Sequence, residues 1–535
     1  MGTAGSNVLP GERVLVVGAG VAGRATADAL VDLGAAVTIA DDRPAVLAGL
    51  AAEGRVATAV GAELAAAWPD DIDLVVVSPG VRPDAPIPVA AAAAGVPVWG
   101  DVELAWRLDA AAVYGPTRTW VVITGTNGKT TTTSMVEAIV AAAGIDTVAC
   151  GNIGLTVIEA LRRGEADRQP PARVLAVELS SFQLYWAPSV RPAVGAVLNI
   201  AEDHLDWHGG MDGYVAAKLR ALGGAVAVVG VDDPGSAALL DRSPAARTIG
   251  FTAGEPGPDR VGIADGYLVD RAFPDADART VLAPVEGIEP PGPAGRLDAA
   301  AAAAAARAIG IAPEAIAAGL ASFHVGPHRG ATVGEIDGVR YVDDSKATNP
   351  HAALASMRSY DSIVWVAGGL LKGAHVDDLV IEVRSRLVAA VLLGRDAPHI
   401  ADALRRHAPD VPVLWASEVH DTNVTSGADV QSASTVVDVN DVMRSAVAAA
   451  RGAARAGDTV LLAPAAASLD MFADYKQRGD SFAAAVAALA TPAVAALATP
   501  AVAALATPAV AALATPAVAA LATPAVARAT RGAER

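Results

Sequence analysis

Runs of β-branched apolar residues that end in glycine-rich or polar segments recur along most of the chain. Near the N-terminus, "RVLVVGAGVAGRATADAL" combines an apolar run from Val14 to Val17, a glycine turn and a helical pattern. The same order returns in "WVVITGTNGKTTTTSMVEAIVAAAG", where the helical pattern would end at Gly144. Continuous apolar runs of this kind are typical of parallel strands buried on both faces. The alternation of strand, turn and helix therefore predicts an α/β fold.

This alternation divides into three segments of ordinary domain size. Residues 1–113 are predicted to form a Rossmann-like N-terminal domain, with further strands in "DLVVVSPGV" and "VPVWGDVEL". Residues 114–324 are predicted to form a central P-loop-type ATPase domain in which the βα alternation continues throughout. Residues 325–488 contain "VRYVDDSKATNP", "IVWVAGGLLKG", "VAAVLLG" and "DTVLLAPAAASLDMF", and predict a Rossmann-like C-terminal domain.

A different pattern begins at residue 489, where "ALATPAVA" repeats every eight residues. Proline at that interval interrupts a continuous helix, and no charged residue occurs in the repeat before Arg528. Residues 489–535 are therefore predicted to be a low-complexity tail, disordered or partly helical, outside the catalytic body. A membrane span is an alternative on hydropathy, but alanine is only weakly apolar and the prolines recur too often.

Composition narrows the classes of function. The formal net charge of −18 over 535 residues argues against a nucleic-acid partner, because phosphate contacts need clustered Lys and Arg. The single cysteine, Cys150, excludes an internal disulfide and favours a reducing compartment. The first residues lack the basic patch and apolar core of a signal peptide. We therefore expect a soluble, cytoplasmic protein without a membrane span.

The glycine-rich segment at "TGTNGKTTT" resembles a P-loop, G-x-x-x-x-G-K-[ST], that is two residues short. Glycines after a strand let backbone amides approach an anion, and a helix N-terminus adds partial positive charge. Lys129 would reach the terminal phosphates of ATP, and the Thr130 hydroxyl would bind Mg²⁺. A glycine-rich turn with an exposed lysine is the alternative, but the order Gly, Lys, Thr after a strand favours ATP. The predicted ATP-binding loop comprises Gly125, Thr126, Asn127, Gly128, Lys129, Thr130 and Thr131.

The first glycine turn follows the pattern G-x-G-x-x-G, with acidic residues about 20 positions later. Alone it indicates either a dinucleotide site or only a tight βα turn. Polar residues also follow two later apolar runs, at Glu178 and between Asn199 and Asp206. Because open α/β sheets bind ligands at the carboxyl ends of their strands, these positions are candidates for a site.

Together the motifs resemble the Mur ligases of peptidoglycan synthesis, in the family's order and over nearly all of residues 12–485. The signatures are "TGTNGKTTT", "GNIG", "ELSSFQL", "EDHLDWHG", "YVAAKLR", "PHR", "DDSKATNP" and "AGGLLKG". The shortened P-loop is similar to that of this ligase class, and "DSKATN" resembles the branch that adds D-glutamate. The resemblance implies a monomeric ATP-dependent ligase that joins D-glutamate to UDP-N-acetylmuramoyl-L-alanine through an acyl phosphate.

The resemblance also implies the sites for nucleotides and metals. The first domain would hold the UDP part of the substrate instead of NAD, with Asp41, Asp42, Arg43, Ser78 and Gly80. Thr130 and Glu178 would bind one Mg²⁺, while Glu178, His204 and Lys218 would bind a second. Lys218 would be carbamylated by CO₂, although its residues alone predict a solvated helix face.

Further residues are implied around the reacting groups. Asn152 would contact the muramoyl substrate, and Arg329, after His328 at the hinge to the third domain, would lie near ATP. The dicarboxylate D-glutamate needs cations and hydroxyls, which Lys346, Thr348, Lys372, Ser468 and Tyr475 would supply. The residues expected to carry the chemistry are Lys129, Glu178, His204, Lys218 and Lys346.

Three positions depart from the family pattern, and other functions stay open. Leu297 and Asp298 replace a His-Asn pair associated with the adenine side of the ATP site, and Ala466 replaces a common cysteine. Another amide ligase, such as a different Mur step or a folylpolyglutamate synthase, is one alternative. A non-catalytic nucleotide-binding regulator is another, and an NAD oxidoreductase is supported only by the first glycine motif.

Overall fold

A computed structural model describes residues 11–166, 171–273, 279–416 and 438–490 of the chain. Within these ranges the strands form three separate sheets, and helices connect most of the parallel strands. The mixed α/β class and the three sheet-containing domains predicted from the sequence are confirmed. Of the tail predicted for residues 489–535, Leu489 and Ala490 belong to the last helix, and residues 491–535 lie outside the described residues.

The first sheet has five parallel strands, and all of its connections contain helices. The strands are β1 (Arg13–Val17), β2 (Ala36–Asp41), β3 (Ala57–Val60), β4 (Leu74–Val77) and β5 (Val98–Gly100). The helices are α1 (Val21–Asp32), α2 (Pro44–Glu53), α3 (Gly61–Ala66), α4 (Pro86–Ala93) and α5 (Asp101–Ala110). The order β3-β2-β1-β4-β5 reverses direction between β1 and β4, which creates a crevice beside the first glycine turn.

The second sheet has nine strands in the described residues, in the order β14-β13-β12-β11-β10-β9-β6-β8-β7. Its strands are β6 (Thr119–Thr124), β7 (Thr147–Gly151), β8 (Val174–Glu178), β9 (Val194–Val197), β10 (Val226–Gly230), β11 (Arg247–Phe251), β12 (Arg260–Ala264), β13 (Tyr267–Asp270) and β14 (Thr280–Pro284). Its helices are α6 (Lys129–Ala142), α7 (Val157–Ala166), α8 (Ser181–Tyr185), α9 (Leu205–His208), α10 (Met211–Leu219), α11 (Pro234–Ala237), α12 (Pro293–Ala308) and α13 (Pro313–Ser322).

The expected βα alternation is wrong for one part of this domain. β13 is antiparallel to both of its neighbours, β12 and β14, and in the described residues no helix separates these three strands. A short loop at Asp265 and Gly266, both in the left-handed region, connects β12 to β13 as a hairpin. The parallel part, with β6 between β8 and β9, keeps the carboxyl ends of the central strands together at one edge.

The third sheet has six strands, in the order β15-β16-β20-β17-β18-β19. They are β15 (Ala331–Ile336), β16 (Val339–Asp343), β17 (Ile363–Ala367), β18 (Leu387–Leu392), β19 (Val413–Trp415) and β20 (Thr459–Leu462). The helices are α14 (Pro350–Met357), α15 (Asp377–Val383), α16 (Ala397–His407), α17 (Val439–Ala453) and α18 (Tyr475–Ala490). Only β15 pairs antiparallel with its neighbour, so the loops after β16, β17 and β20 share one edge.

Small side chains build much of the central core. The run Ala299–Ala306 on α12 is fully buried and packs with α6 and the second sheet. Because alanine leaves little side chain between helices, α12 approaches α6 closely. This packing brings the beginning of α12 beside the loop between β6 and α6.

Candidate active site

One cleft of about 580 Å³ lies among the carboxyl ends of the central strands, the beginning of α12 and the first loop of the third domain. The loop between β6 and α6, Asn152, Glu178, Arg329, Lys346 and Thr348 all line it. Residues predicted from three distant parts of the sequence therefore meet in one space. The cleft is built from the second and third domains.

The loop from Gly125 to Lys129 is held in shape by contacts that only small residues allow. Gly128 has φ 83°, in the left-handed region, and precedes the first residue of α6. A Cβ on Gly125 would lie 2.9 Å from the Cβ of Leu198. Asn199 fixes the loop from the neighbouring strand end by accepting from the Asn127 amide at 2.9 Å. We call the segment Gly125–Thr131 the phosphate loop.

Two lysines converge on this phosphate loop, the half-buried Lys129 and the fully buried Lys218. The Lys129 ammonium donates to the carbonyl oxygens of Gly125 at 2.9 Å and Thr126 at 2.7 Å. The Lys218 ammonium donates to the same Gly125 oxygen at 2.7 Å, and lies over the ring of Tyr214. Burial lowers the pKa of Lys129, and burial together with the nearby Lys129 charge lowers the pKa of Lys218 well below its usual value. Lys218 is therefore a buried amine whose charged form is disfavoured, and the solvated helix face expected from its residues alone is wrong.

Glu178, the last residue of β8, is the acidic centre of the cleft. Its side chain is nearly inaccessible to solvent, and Oε2 accepts a hydrogen bond from the Thr130 hydroxyl at 2.5 Å. Oε1 accepts from the Asn152 side-chain amide at 2.9 Å. These contacts bring together a carboxylate and a hydroxyl, oxygen ligands of the kind that Mg²⁺ prefers.

His204 lies at the margin of this group. Its backbone is in the left-handed region, its ring packs on Phe182, and Nε2 is 3.5 Å from an Asp203 oxygen. Burial lowers the pKa of His204, and the charges of Lys372, Lys129 and Lys218 lower it further. A neutral imidazole is the form that binds metal ions. In the described residues, no hydrogen bond joins His204 to Glu178.

The third domain contributes cations from two loops. Lys346 and Thr348 line the cleft, and the Lys346 ammonium lies 4.1 Å from the centre of the Tyr475 ring. Although the Lys346 side chain is partly open to solvent, burial in the cleft and the charge of Arg329 lower its pKa to about 8. Lys372 follows β17 and lies outside the cleft, where its charge lowers the pKa of His204. Ser468 is buried in the loop after β20. The predicted D-glutamate residues thus occupy one edge of the sheet, but only Lys346 and Thr348 line the cleft.

The residues predicted to hold UDP form a separate group at the crevice of the first sheet. Asp41 accepts from the Ala19 amide and from the Arg43 guanidinium, which holds the pKa of this carboxyl far below its usual range. Asp42 accepts from the Ala62 amide, and the Ser78 hydroxyl donates to Gly18 O. The Gly80 carbonyl accepts from Trp207 Nε1 of the central domain at 3.3 Å. These residues do not line the cleft, and Trp207 connects Gly80 to the central domain.

The residues of the cleft fit ATP and Mg²⁺. A glycine cradle, a buried lysine and a helix N-terminus suit a polyphosphate, and the Thr130–Glu178 contact has the donor atoms that suit a hard cation. In the described part of the chain, no three His, Cys, Asp or Glu side chains are arranged to hold a metal ion. A metal ion bound in this cleft would therefore need other ligands as well, including hydroxyl and phosphate oxygens.

Sequence reasoning missed several residues of the site. Tyr214 shares a hydrogen bond of 3.0 Å with Thr126, and His351 Nδ1 contacts the Asn127 side-chain nitrogen at 2.8 Å from the third domain. Arg478 is fully buried and donates to Ser345, Ala466 and Gly368, so one guanidinium connects three loops of the third sheet. The segment "KQRGD", which contains Arg478, has the pattern of an ordinary polar helix start, and nothing in it predicts a buried arginine that connects three loops.

The described helices are all too short or too polar to cross a lipid bilayer.

Comparison with protein families gives three matches along the chain. Residues 12–100 match the Mur ligase MurD-like N-terminal domain, and residues 123–261 match the Mur ligase middle domain. Residues 328–466 match the Mur ligase glutamate ligase domain. The three matches follow one another in the order of the three sheets.

Curated relatives align over most of the chain. A protein named UDP-N-acetylmuramoylalanine--D-glutamate ligase from Rhodococcus jostii is 57% identical over 490 residues, which cover 91% of this chain and 97% of the relative. A protein of the same name from Nocardia farcinica is 57% identical over 485 residues, with 90% and 97% covered. The family resemblance deduced from the motifs is thereby confirmed.

Solved structures agree on the fold. UDP-N-acetylmuramate-alanine ligase MurC from Thermotoga maritima superposes with a TM-score of 0.51 at 17% identity, covering 89% of this chain and 99% of that one. MurF ligase from Thermotoga maritima, in complex with ADP, gives a TM-score of 0.50 at 17% identity, with 90% and 96% covered. The ordered domain matches, the identity to full-length relatives and the shared three-domain fold lead to one conclusion. The chain belongs to the Mur ligase family, among its MurD-like members.

Proposed function

We propose that this protein is an ATP-dependent ligase that joins the amine of D-glutamate to the carboxylate of UDP-N-acetylmuramoyl-L-alanine, in peptidoglycan precursor synthesis. The observation that carries the proposal is the meeting of the phosphate loop, Glu178 and Lys346 in one cleft. Relatives 57% identical over nearly their whole length carry the name of this activity. The folylpolyglutamate and regulator alternatives find no such support.

The chemistry follows from the poor leaving ability of a carboxylate oxygen. Transfer of the γ-phosphoryl group of ATP to the alanyl carboxylate forms an acyl phosphate and ADP. The D-glutamate amine then attacks the acyl carbon, loses a proton, and inorganic phosphate leaves as the amide forms. Such transfers are catalysed mainly by positioning and by neutralising charge, which Lys129 and Arg329 would supply at the phosphates.

Other side chains would hold the substrates and the metal. Mg²⁺ would neutralise phosphate oxygens, held by Thr130 and Glu178 at one site and by Glu178, His204 and Lys218 at a second. Lys346 is mainly cationic at neutral pH and would bind a carboxylate of D-glutamate with Thr348. Lys372, Ser468 and Tyr475 would contribute to this site from the neighbouring loops of the third domain. Asn152 would meet the muramoyl part, and the group around Asp41 and Ser78 would hold UDP.

The second metal site requires a change at Lys218, because an ammonium repels a cation. We infer that CO₂ carbamylates this lysine, since carbamylation needs a neutral amine and the pKa of Lys218 is strongly lowered. The product would be an anionic oxygen ligand, which a metal ion bound by Glu178 and His204 would stabilise. Lys218→Ala and Lys218→Arg should both lose most activity, and removal of bicarbonate should slow wild type reversibly. A high-resolution map that shows a bare amine in an active, Mg²⁺-loaded complex would exclude the carbamate.

The test of the ligase activity supplies ATP, Mg²⁺ and UDP-N-acetylmuramoyl-L-alanine, with D-glutamate, L-glutamate, L-lysine or diaminopimelate as the acceptor. We expect phosphate release and a new amide product with D-glutamate alone. Omission of the UDP substrate and the Glu178→Gln variant serve as controls. Product formation with L-lysine or diaminopimelate in place of D-glutamate would refute the assignment.

We also infer that the ligase works as a monomer in the cytoplasm. One chain supplies every side chain assigned here, and a single buried cysteine suits a reducing compartment. Light scattering on the active fractions should give the mass of one chain.

A further inference from the structure

Asp298 is a buried acid in contact with the backbone of the phosphate loop. It lies near the beginning of α12, lines the cleft, and is 9% exposed. Its Oδ1 accepts a hydrogen bond from the Thr132 hydroxyl at 3.2 Å. A Cβ on Gly128 would lie 2.3 Å from the same Oδ1, so the carboxyl group touches the Cα of this glycine. The residue thus occupies a place where bound phosphates would be its neighbours.

A negative charge at this place would oppose the binding of a polyphosphate. The Lys129 ammonium is turned toward Gly125 O and Thr126 O, and Arg329 is the cation whose charge acts on Asp298. Besides Arg329, the charged and titratable groups that line the same cleft are Lys129, Glu178, Asp203, Asp232, Asp233, Asp344, Lys346, His351, Arg358 and Tyr360. Burial raises the pKa of Asp298 to about 8, while the Thr132 hydrogen bond and the Arg329 charge lower it less strongly. The group is therefore protonated at neutral pH.

We propose that Asp298 binds ATP as a carboxylic acid, whose hydroxyl donates a hydrogen bond to a phosphate oxygen of the nucleotide. One oxygen is already engaged by Thr132, and among the described residues the other has no hydrogen-bond partner. A protonated carboxyl group has the shape and the donor of a side-chain amide. The acid at this position can therefore replace an amide donor without placing charge beside the triphosphate. The inference rests on the ATP-binding part of the proposed function.

The experiment is the affinity of the full chain for MgATP between pH 7 and pH 9, measured by calorimetry without D-glutamate or UDP substrate. Only the protonated fraction binds, so the wild-type Kd should rise about tenfold from pH 7 to pH 9. Asp298→Asn, which keeps a donor that does not titrate, should remove this rise. Asp298→Ala should bind weakly at both pH values. Asp241→Asn, an exposed acid of the same domain, is the matched control and should follow wild type.

Lys346 titrates in the same pH range but is present in every variant, so the difference between wild type and Asp298→Asn isolates the acid. A second variant, Thr132→Val, removes the hydrogen bond that lowers the pKa of Asp298. It should move the alkaline loss of affinity to higher pH, and it tests the proposal even where Asp298→Asn does not fold. An alkaline loss that is the same in wild type and Asp298→Asn, or that stays in place in Thr132→Val, would overturn the proposal. Because no ligation is measured, failure to add D-glutamate would leave this result unaffected.

Discussion

Replacing Lys129 with alanine should stop turnover while the protein stays folded. The ammonium makes two hydrogen bonds, to Gly125 O and Thr126 O, in the absence of nucleotide. Two contacts of the same kind with phosphate oxygens are expected when ATP binds. A hydrogen bond to a charged group contributes about 1.5–3 kcal/mol. The loss of two such bonds therefore lowers kcat/KM for ATP by about 10²- to 10⁴-fold.

Stability should respond far less than activity. Burial lowers the pKa of Lys129, which means that the folded protein disfavours its charge. Removing the ammonium relieves this cost and partly offsets the two lost hydrogen bonds. We therefore expect the Tm of Lys129→Ala to stay close to that of wild type. Circular dichroism on the same samples used for phosphate release measures both quantities.

The matched control is Lys476→Ala, because Lys476 is exposed and has no proposed role in the reaction. It should retain kcat/KM within about threefold. A folded Lys129→Ala protein with near-wild-type phosphate release would refute the ATP site. A large fall in its Tm would instead show that the lysine is needed for the fold.

Three further predictions concern pH, stability and the tail. The pKa of Lys346 is lowered to about 8, so its cation is present below that pH and lost above it. The KM for D-glutamate should therefore rise above pH 8, and Lys346→Arg should move this rise to higher pH. Asp109 forms a buried ion pair with Arg118 and also accepts a hydrogen bond from Trp120 Nε1. Asp109→Ala should therefore lower the free energy of unfolding in urea by about 3–5 kcal/mol, and a decrease below about 1 kcal/mol would contradict this. Deleting residues 491–535 should leave kcat/KM within about threefold of the wild-type value, because the charged side chains of this segment are confined to its last eight residues. A truncated protein that is folded but inactive would show that the tail is needed.

The parts of the site that follow strands directly could be predicted from sequence. The phosphate loop and Glu178 come after apolar runs, and parallel strands bring their carboxyl ends to one edge. The hairpins of β12, β13 and β14 were missed because each strand is short and has no clear alternation to distinguish it from a parallel strand. The motifs thus predicted the residues of the site better than they predicted the order and direction of the strands.

Contacts between elements distant in sequence were beyond such reasoning. The burial of Lys218 depends on how α10 packs against the end of β6, and nothing in "YVAAKLR" reveals that neighbour. The contact of Asp298 with Gly128 likewise depends on how closely an alanine helix approaches α6. Lys372 and Ser468 lie off the cleft because the distance between loops depends on how the domains are placed, which local patterns do not specify.

The convergence of lysines on the cleft has a practical consequence for chemical labelling. The chain has five lysines, and four of them, Lys129, Lys218, Lys346 and Lys372, lie in or next to the site, while arginine supplies most of the other basic side chains. Lys218 is buried and Lys129 half-buried, whereas Lys346 is exposed and carries a substantial neutral fraction near pH 8. An amine-reactive reagent should therefore modify Lys346 preferentially among the cleft lysines. Peptide mass spectrometry of that modification would report occupancy of the cleft without any coupled enzyme assay.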